Sequence, residues 1–142
     1  MNALLLGTYQ GKTYRLKVKC CSKTPQLKVQ LLPSDGSGRI TITQELGQSL
    51  PRYQAYLADG LLDVEDDSFM AFLERNELGH IVDYRRTPGD PDTGQPGRLA
   101  ALFQFHSGAL RRYHSAGCDS YEIHYARLKQ GQAERWSKRR AG

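Results

Sequence analysis

Apolar and polar residues alternate with period two over much of the first third of the chain. In residues 13–20, Tyr14, Leu16, Val18 and Cys20 fall on one side and Arg15, Lys17 and Lys19 on the other. Successive strand side chains point to opposite faces, so this pattern predicts a half-buried strand. The apolar residues 3–9 predict a strand before it, and Gln10-Gly11 between the two predicts a tight hairpin. Alternation resumes at Leu27, Val29 and Leu31, with Lys28 and Gln30 opposite, and again at Ile40 and Ile42. The intervening Pro33-Ser34-Asp35-Gly36-Ser37-Gly38 has dense turn chemistry, which makes this a second hairpin. Residues 53–57 predict a further short strand after the break at residues 47–51.

The period then changes. Phe69, Phe72 and Leu73 follow helical spacing, with Asp66 and Asp67 before them, Arg75 near the end and Gly79 beyond. Carboxylates suit the start of a helix, where free N–H groups and the dipole favour negative charge. Glycine suits the position after its end, so a helix is predicted over residues 67–78 with a core-packing face. Residues 80–86 and 99–105 predict two strands paired across residues 87–97, which hold three prolines and three glycines and read as a long loop. Beyond Ser107 the periods conflict. Residues 109–114 suit a helical turn, and Tyr121, Ile123 and Tyr125 alternate like a strand. Tyr121, Tyr125 and Leu128 also fit a helix, and Gly131 interrupts either reading.

These elements predict an α+β fold: a mainly antiparallel twisted sheet of five to seven strands, one central helix packed on a face, and a basic C-terminal extension. The domain is placed at residues 1–128 and the tail at 129–142. The tail is expected to be helical only when docked.

Length supports one domain, since 142 residues suffice for one modest core. No apolar run approaches the roughly 20 residues of a membrane span. The short apolar start lacks a basic region and a cleavage site, so no signal peptide is read and the cytoplasm is expected. Three cysteines, Cys20, Cys21 and Cys118, argue against a disulfide framework. The net charge of +5 is divided into blocks. Residues 1–58 carry eight basic and two acidic residues (+6), residues 59–92 three and ten (−7), and residues 93–142 nine and three (+6). Either the blocks face one another in the fold, or the molecule is electrostatically sided toward an anionic partner.

Candidate chemistry is sparse. Gly7-Thr8-Tyr9-Gln10-Gly11-Lys12-Thr13 looks like a phosphate-binding loop, but it is one residue short between the glycines. It also runs into a strand, whereas an anion site of this kind needs a helix N-terminus. Cys20, Cys21, His106, His114, Cys118 and His124 are soft metal ligands. The adjacent Cys20 and Cys21 lack zinc-site spacing and point to opposite strand faces, so no metal site is assigned. Cys20 is expected in the core and Cys21 is taken as incidental. The carboxylates at residues 63–67 read as a solvated helix start. No nucleophile elbow is present. No catalytic residue, cofactor site or enzymatic activity is therefore expected.

Nucleic-acid chemistry is better represented. Arg111-Arg112-Tyr113-His114 interleaves basic and aromatic groups, and Arg135-Trp136-Ser137-Lys138-Arg139-Arg140 does so more strongly. Cations neutralise phosphates and aromatic rings stack on bases. Arg111, Arg112, Arg135, Trp136, Lys138, Arg139 and Arg140 are the expected partner-binding residues, and Arg15, Lys17, Lys19 and Lys28 extend the surface.

The order of signals also resembles a family of small proteins, a domain of unknown function carried by conjugative elements and phages of gut bacteria. The resemblance rests on Leu27-Lys28-Val29-Gln30-Leu31, Ile40-Thr41-Ile42-Thr43, Leu46-Gly47-Gln48-Ser49-Leu50-Pro51 and Ala55-Tyr56-Leu57. It continues through Phe69, Phe72-Leu73-Glu74-Arg75-Asn76, Leu78-Gly79 and Phe103-Gln104-Phe105, spanning about residues 10–110. The long Pro/Gly loop and everything after Tyr113 depart from it. The resemblance implies a mobile-element setting, in which small non-enzymatic proteins block host defence by binding it. The expected function is thus an anti-CRISPR-like inhibitor of a host protein or nucleoprotein complex. The alternative is direct DNA or RNA binding through the basic C-terminal segment.

Overall fold

The computed structural model describes residues 6–45, 49–58, 61, 67–87, 89, 91–94 and 96–141, with backbone alone at residues 7, 8 and 133–141. The expected α+β architecture with antiparallel strands is present. The expected carboxylate cluster at residues 63–66 and residues 3–5 of the first expected strand lie outside the described residues.

Strand β1 (Leu6–Tyr9) turns directly into β2 (Lys12–Cys20), pairing Tyr9 with Lys12. Gln10 and Gly11 both take positive φ, 54° and 74°. Two such residues make the hairpin turn whose twist matches its strands. The glycine-lysine sequence is therefore a turn and not a phosphate loop. Lys12 Nζ reaches the Asp35 carboxylate at 3.2 Å across the neighbouring turn.

β3 (Leu27–Pro33) pairs with β2 in full register, from Tyr14↔Pro33 to Cys20↔Leu27, and with β4 (Ile40–Thr41) on its other side. A second sheet runs β5 (Thr43–Gln44), β6 (Gln54–Leu57), β8 (Leu99–Phe105), β7 (Gly79–Arg86). The strands thus form two four-stranded sheets where one sheet was expected. Ile42 explains the difference: its N–H donates to Val29 O at 3.0 Å, and its carbonyl accepts from Ala58 N at 2.8 Å. One bent segment, β4 to β5, therefore leaves the first sheet and enters the second, and the backbone hydrogen bonding stays continuous through it.

Helix α1 (Ser68–Arg75) buries Phe69, Phe72 and Leu73 as expected, packing them against Tyr9 with ring centroids 5.6 Å and 5.4 Å from the two phenylalanines. Its termination differs from the expectation. Glu77 takes the left-handed conformation (φ 56°), and Gly79 already belongs to β7. Gly79 is needed for another reason: a Cβ there would lie 2.0 Å from the Gln104 carbonyl oxygen of β8.

The chain after His106 is one long helix, α2 (Ser107–Ala141), broken only at His114 (φ −154°, ψ 72°). The strand-like alternation of Tyr121, Ile123 and Tyr125 does not describe it. Tyr121 and Tyr125 are buried while Ile123 is 56% exposed, a distribution only helical spacing gives. Gly131 lies inside the helix without ending it, and the helix passes residue 128 into the tail without interruption. Two tyrosine hydroxyls latch it to the loop before β6. Tyr121 accepts the Tyr53 N–H at 2.8 Å, and Tyr125 donates to Leu50 O at 2.6 Å.

One apolar core joins β1, β2, β3, β6, β8, α1 and α2, and includes Cys118. Cys21 is the buried residue of the adjacent pair and Cys20 only partly so, the reverse of the expectation. The reason is that β2 ends at Cys20 and the turn carries Cys21 inward, fixing its N–H on Gln26 O at 2.9 Å. Burial pushes the Cys21 thiol up to about 12. Among the described residues, no helix is long and apolar enough to cross a membrane.

Candidate nucleic-acid interface

The alternation of β2 puts Tyr14, Leu16 and Val18 in the core and leaves Arg15, Lys17 and Lys19 on the outer face. The register sets Lys28 of β3 beside Lys19, and Leu32 beside Arg15. Arg39, at the entry to β4, adds its field. Among the described residues, none of Arg15, Lys17, Lys19, Lys28 and Arg39 is ion-paired. The accumulated charge is felt at Lys19, whose pKa is lowered first by Lys17 and then by partial desolvation, with smaller contributions from Lys28 and Arg39. Like charges held this close without counter-ions favour an anionic partner.

A cleft of about 230 Å³ opens beside this face, lined by Arg15, Leu16, Lys17, Leu32, Tyr113 and His114. The backbone edge of β2 builds it. Val29 turns its carbonyl to Ile42, away from β2, so Val18, opposite Val29, points its N–H toward α2. His114 Nδ1 accepts that N–H at 3.0 Å. The helix can approach this closely only because residue 117 is glycine, whose Cβ would stand 2.5 Å from Val18 O and 2.2 Å from His114 Nδ1. The kink at His114 is therefore the cost of covering a strand edge. Burial, and after it the nearby Lys17 charge, lower the His114 pKa.

The expected basic-aromatic run at residues 111–114 is divided by this geometry. Tyr113 and His114 form the cleft wall. Arg112 is exposed. Arg111 turns the other way and pairs with Asp119, at 2.8 Å, and with Glu122 across the kink. The Asp119 carboxylate holds the Arg111 pKa above its ordinary range. Arg111 is thus already neutralised within its own helix. Arg135, Trp136, Lys138, Arg139 and Arg140 lie on the helical backbone of the tail, and their side chains lie outside the described residues. The ion pairs Lys12–Asp35, Arg85–Asp83 and Arg111 with Asp119 and Glu122 each fall within one charge block of the sequence.

The ligand types considered for a metal are dispersed. Among the described residues, no group of three or more His, Cys, Asp and Glu is gathered. Tyr113 and His114 as cleft walls were missed as a unit with β2. The available signal was their adjacency to two arginines in the sequence.

No family model, curated protein or solved structure matches the chain.

Proposed function

We propose that this chain is a non-enzymatic, cytoplasmic binding protein that grips the nucleic-acid backbone of a nucleoprotein complex through the outer face of β2 and β3. The observation that carries this reading is the row of five cations, Arg15, Lys17, Lys19, Lys28 and Arg39, with no ion-pair partner among the described residues. Tyr113 at the end of the row offers a ring for an unstacked base beside Arg15 and Lys17. Occupying the nucleic acid of a defence complex would serve the inhibitory role that a mobile-element setting calls for.

The test is fluorescence anisotropy of a labelled 20-nucleotide single strand titrated from 50 to 200 mM salt. Five phosphate contacts on a single strand predict a slope of log affinity against log salt of about −3.5. Replacing Lys17, Lys19 and Lys28 together by Gln should reduce the slope by about 2 and weaken binding at 50 mM salt. Arg111→Gln should leave the slope unchanged. Absence of binding at 50 mM, or an unchanged slope in the triple variant, rejects the reading.

A further inference from the structure

Four large apolar side chains stand exposed among the described residues, and three of them sit together. These are Val82 and Tyr84 on β7 and Leu99 at the start of β8, at 44%, 58% and 63% exposure. β7 is the outer strand of the second sheet, with β8 on one side and no strand on the other among the described residues. Residues 82–86 are all exposed, so this half of β7 runs beyond the core as one rail of a ribbon. A long, partly apolar strand edge with open backbone groups is a template for another strand.

The register fixes what that edge presents. Thr87 N–H donates to Arg98 O at 2.7 Å, so Thr87 turns its backbone toward β8. Backbone groups alternate along an antiparallel ladder, so Arg85 also faces β8 while Tyr84 and Arg86 face outward. The Tyr84 N–H agrees with this: it donates to the carboxylate of its own neighbour, Asp83 Oδ1, at 2.9 Å. Val82 is the extra residue of a bulge, between Ile81 opposite Phe103 and Asp83 opposite Leu102. Beyond the bulge, Tyr84 and Arg86 share a face with Leu99. Asp83 and Arg85 share the other face, as an ion pair at 3.2 Å.

We propose that β7 is a dimerisation edge, pairing antiparallel with β7 of a second copy of this chain about a two-fold axis at Tyr84. The order of charges selects this occupant. Asp83-Tyr84-Arg85 is its own antiparallel complement: Asp83 of each copy stands opposite Arg85 of the other, and the two Tyr84 rings face across the axis. The register centred on Arg85 would instead set two guanidinium groups against each other. On pairing, the Tyr84 N–H passes from Asp83 to the Tyr84 carbonyl of the second copy, and the freed carboxylate turns to Arg85 across the axis. An isologous contact of this kind closes on itself. It joins two four-stranded sheets into one, whose ends are the two-residue β5 strands. The contact spans about five residues of each strand, a small interface, so the dimer is weak and concentration-dependent. The basic face belongs to the other sheet, so the dimer carries two of them.

The experiment is sedimentation equilibrium of the full chain from about 5 to 500 µM, the range in which a small interface dissociates. A monomer–dimer equilibrium is expected. Asp83→Arg and Arg85→Asp, each alone, set like charges across the axis and should leave a monomer, with circular dichroism showing each still folded. An equimolar mixture of the two restores both opposite-charge pairs and should sediment as a heterodimer, which neither misfolding nor an interface elsewhere reproduces. Ile123→Gln removes the fourth exposed apolar residue, on α2, and should leave the equilibrium unchanged. Amide exchange of the unaltered chain reads the same contact without a variant: the Tyr84 N–H should exchange more slowly as concentration rises. A monomer throughout the range, a dimer indifferent to both reversals or lost in Ile123→Gln, a mixture that stays monomeric, or Tyr84 exchange indifferent to concentration overturns the proposal.

Discussion

The contact of His114 with the β2 edge predicts a fold that weakens on mild acidification. The perturbation is a single proton on Nδ1. In the neutral ring this nitrogen accepts the Val18 N–H at 3.0 Å. Protonated, it becomes a donor facing a donor, and the bond is lost. Burial lowers the His114 pKa below its ordinary 6.5, with Lys17 adding to the shift. The unfolded chain therefore takes up the proton first. The contribution of this group is complete above pH 6.5 and declines as pH falls through the window between 6.5 and the lowered folded value. The ceiling on the loss is the cost of leaving one partly buried N–H unpaired, about 1–3 kcal/mol.

Urea unfolding at pH 7.5, 6.5 and 5.5 measures it. The informative variant is His114→Asn, whose side-chain oxygen stands near the position of Nδ1, and asparagine tolerates unusual backbone angles. This variant should hold most of the stability at pH 7.5 and lose the acid slope attributed to residue 114. His114→Ala should be weaker than wild type by about 1–2 kcal/mol at pH 7.5, with the deficit narrowing toward pH 5.5 as the wild type loses the same bond. If the wild type and His114→Asn lose the same stability between pH 7.5 and 5.5, another histidine titrates and the reasoning fails.

Gly79→Ala should destabilise by more than about 2 kcal/mol, because its Cβ would stand 2.0 Å from a backbone oxygen that cannot move without opening the β7–β8 pair; a chemical-denaturation midpoint reports it. Tyr121→Phe leaves the Tyr53 N–H unpaired at a residue already held at φ 64°, and should cost about 1–3 kcal/mol in the same assay. Deleting Gln132 to Gly142 should preserve the melting transition while weakening single-strand affinity, as anisotropy would show. Unchanged affinity would make the tail a solubilising end.

Sheet residues were legible where one face is buried. The period of two placed Arg15, Lys17 and Lys19 on a shared outer face, and the hairpin pairing of residues 80–86 with 99–105 followed from two strands flanking a breaker-rich loop. The bend at Ile42 was not legible, because Ile40-Thr41-Ile42-Thr43 alternates through it in sequence while the structure buries both Ile42 and Thr43. Helix α2 was obscured by its own composition. Tyr121 and Tyr125 satisfy both periods, Ile123 completing the strand pattern and Leu128 the helical one, and only burial against β2 and the β6 loop decides between them. Gly79 was misplaced because glycine serves a helix end and a close strand approach equally well. The ion pairs of Arg111 were not legible because its partners are 8 and 11 residues away and meet it only across a kink. His114 lies 96 residues from Val18, a separation no local pattern spans.

The edge of β2 ties stability to the proposed binding. Past its pairing with β1, the strand would present open backbone groups to other chains. The helix covers this edge with His114 and Gly117, and in doing so brings Tyr113 and an imidazole to Arg15 and Lys17. The fold keeps that imidazole neutral. A bound phosphate in the cleft would reverse the local field and favour the imidazolium, raising the His114 pKa. By linkage, a nucleic acid there should bind more tightly as pH falls from 7.5 to 6 while the free protein weakens. The two trends share one residue, so His114→Asn should flatten both. If only the stability trend flattens, the bound phosphates lie on Lys19 and Lys28, beyond the reach of the cleft.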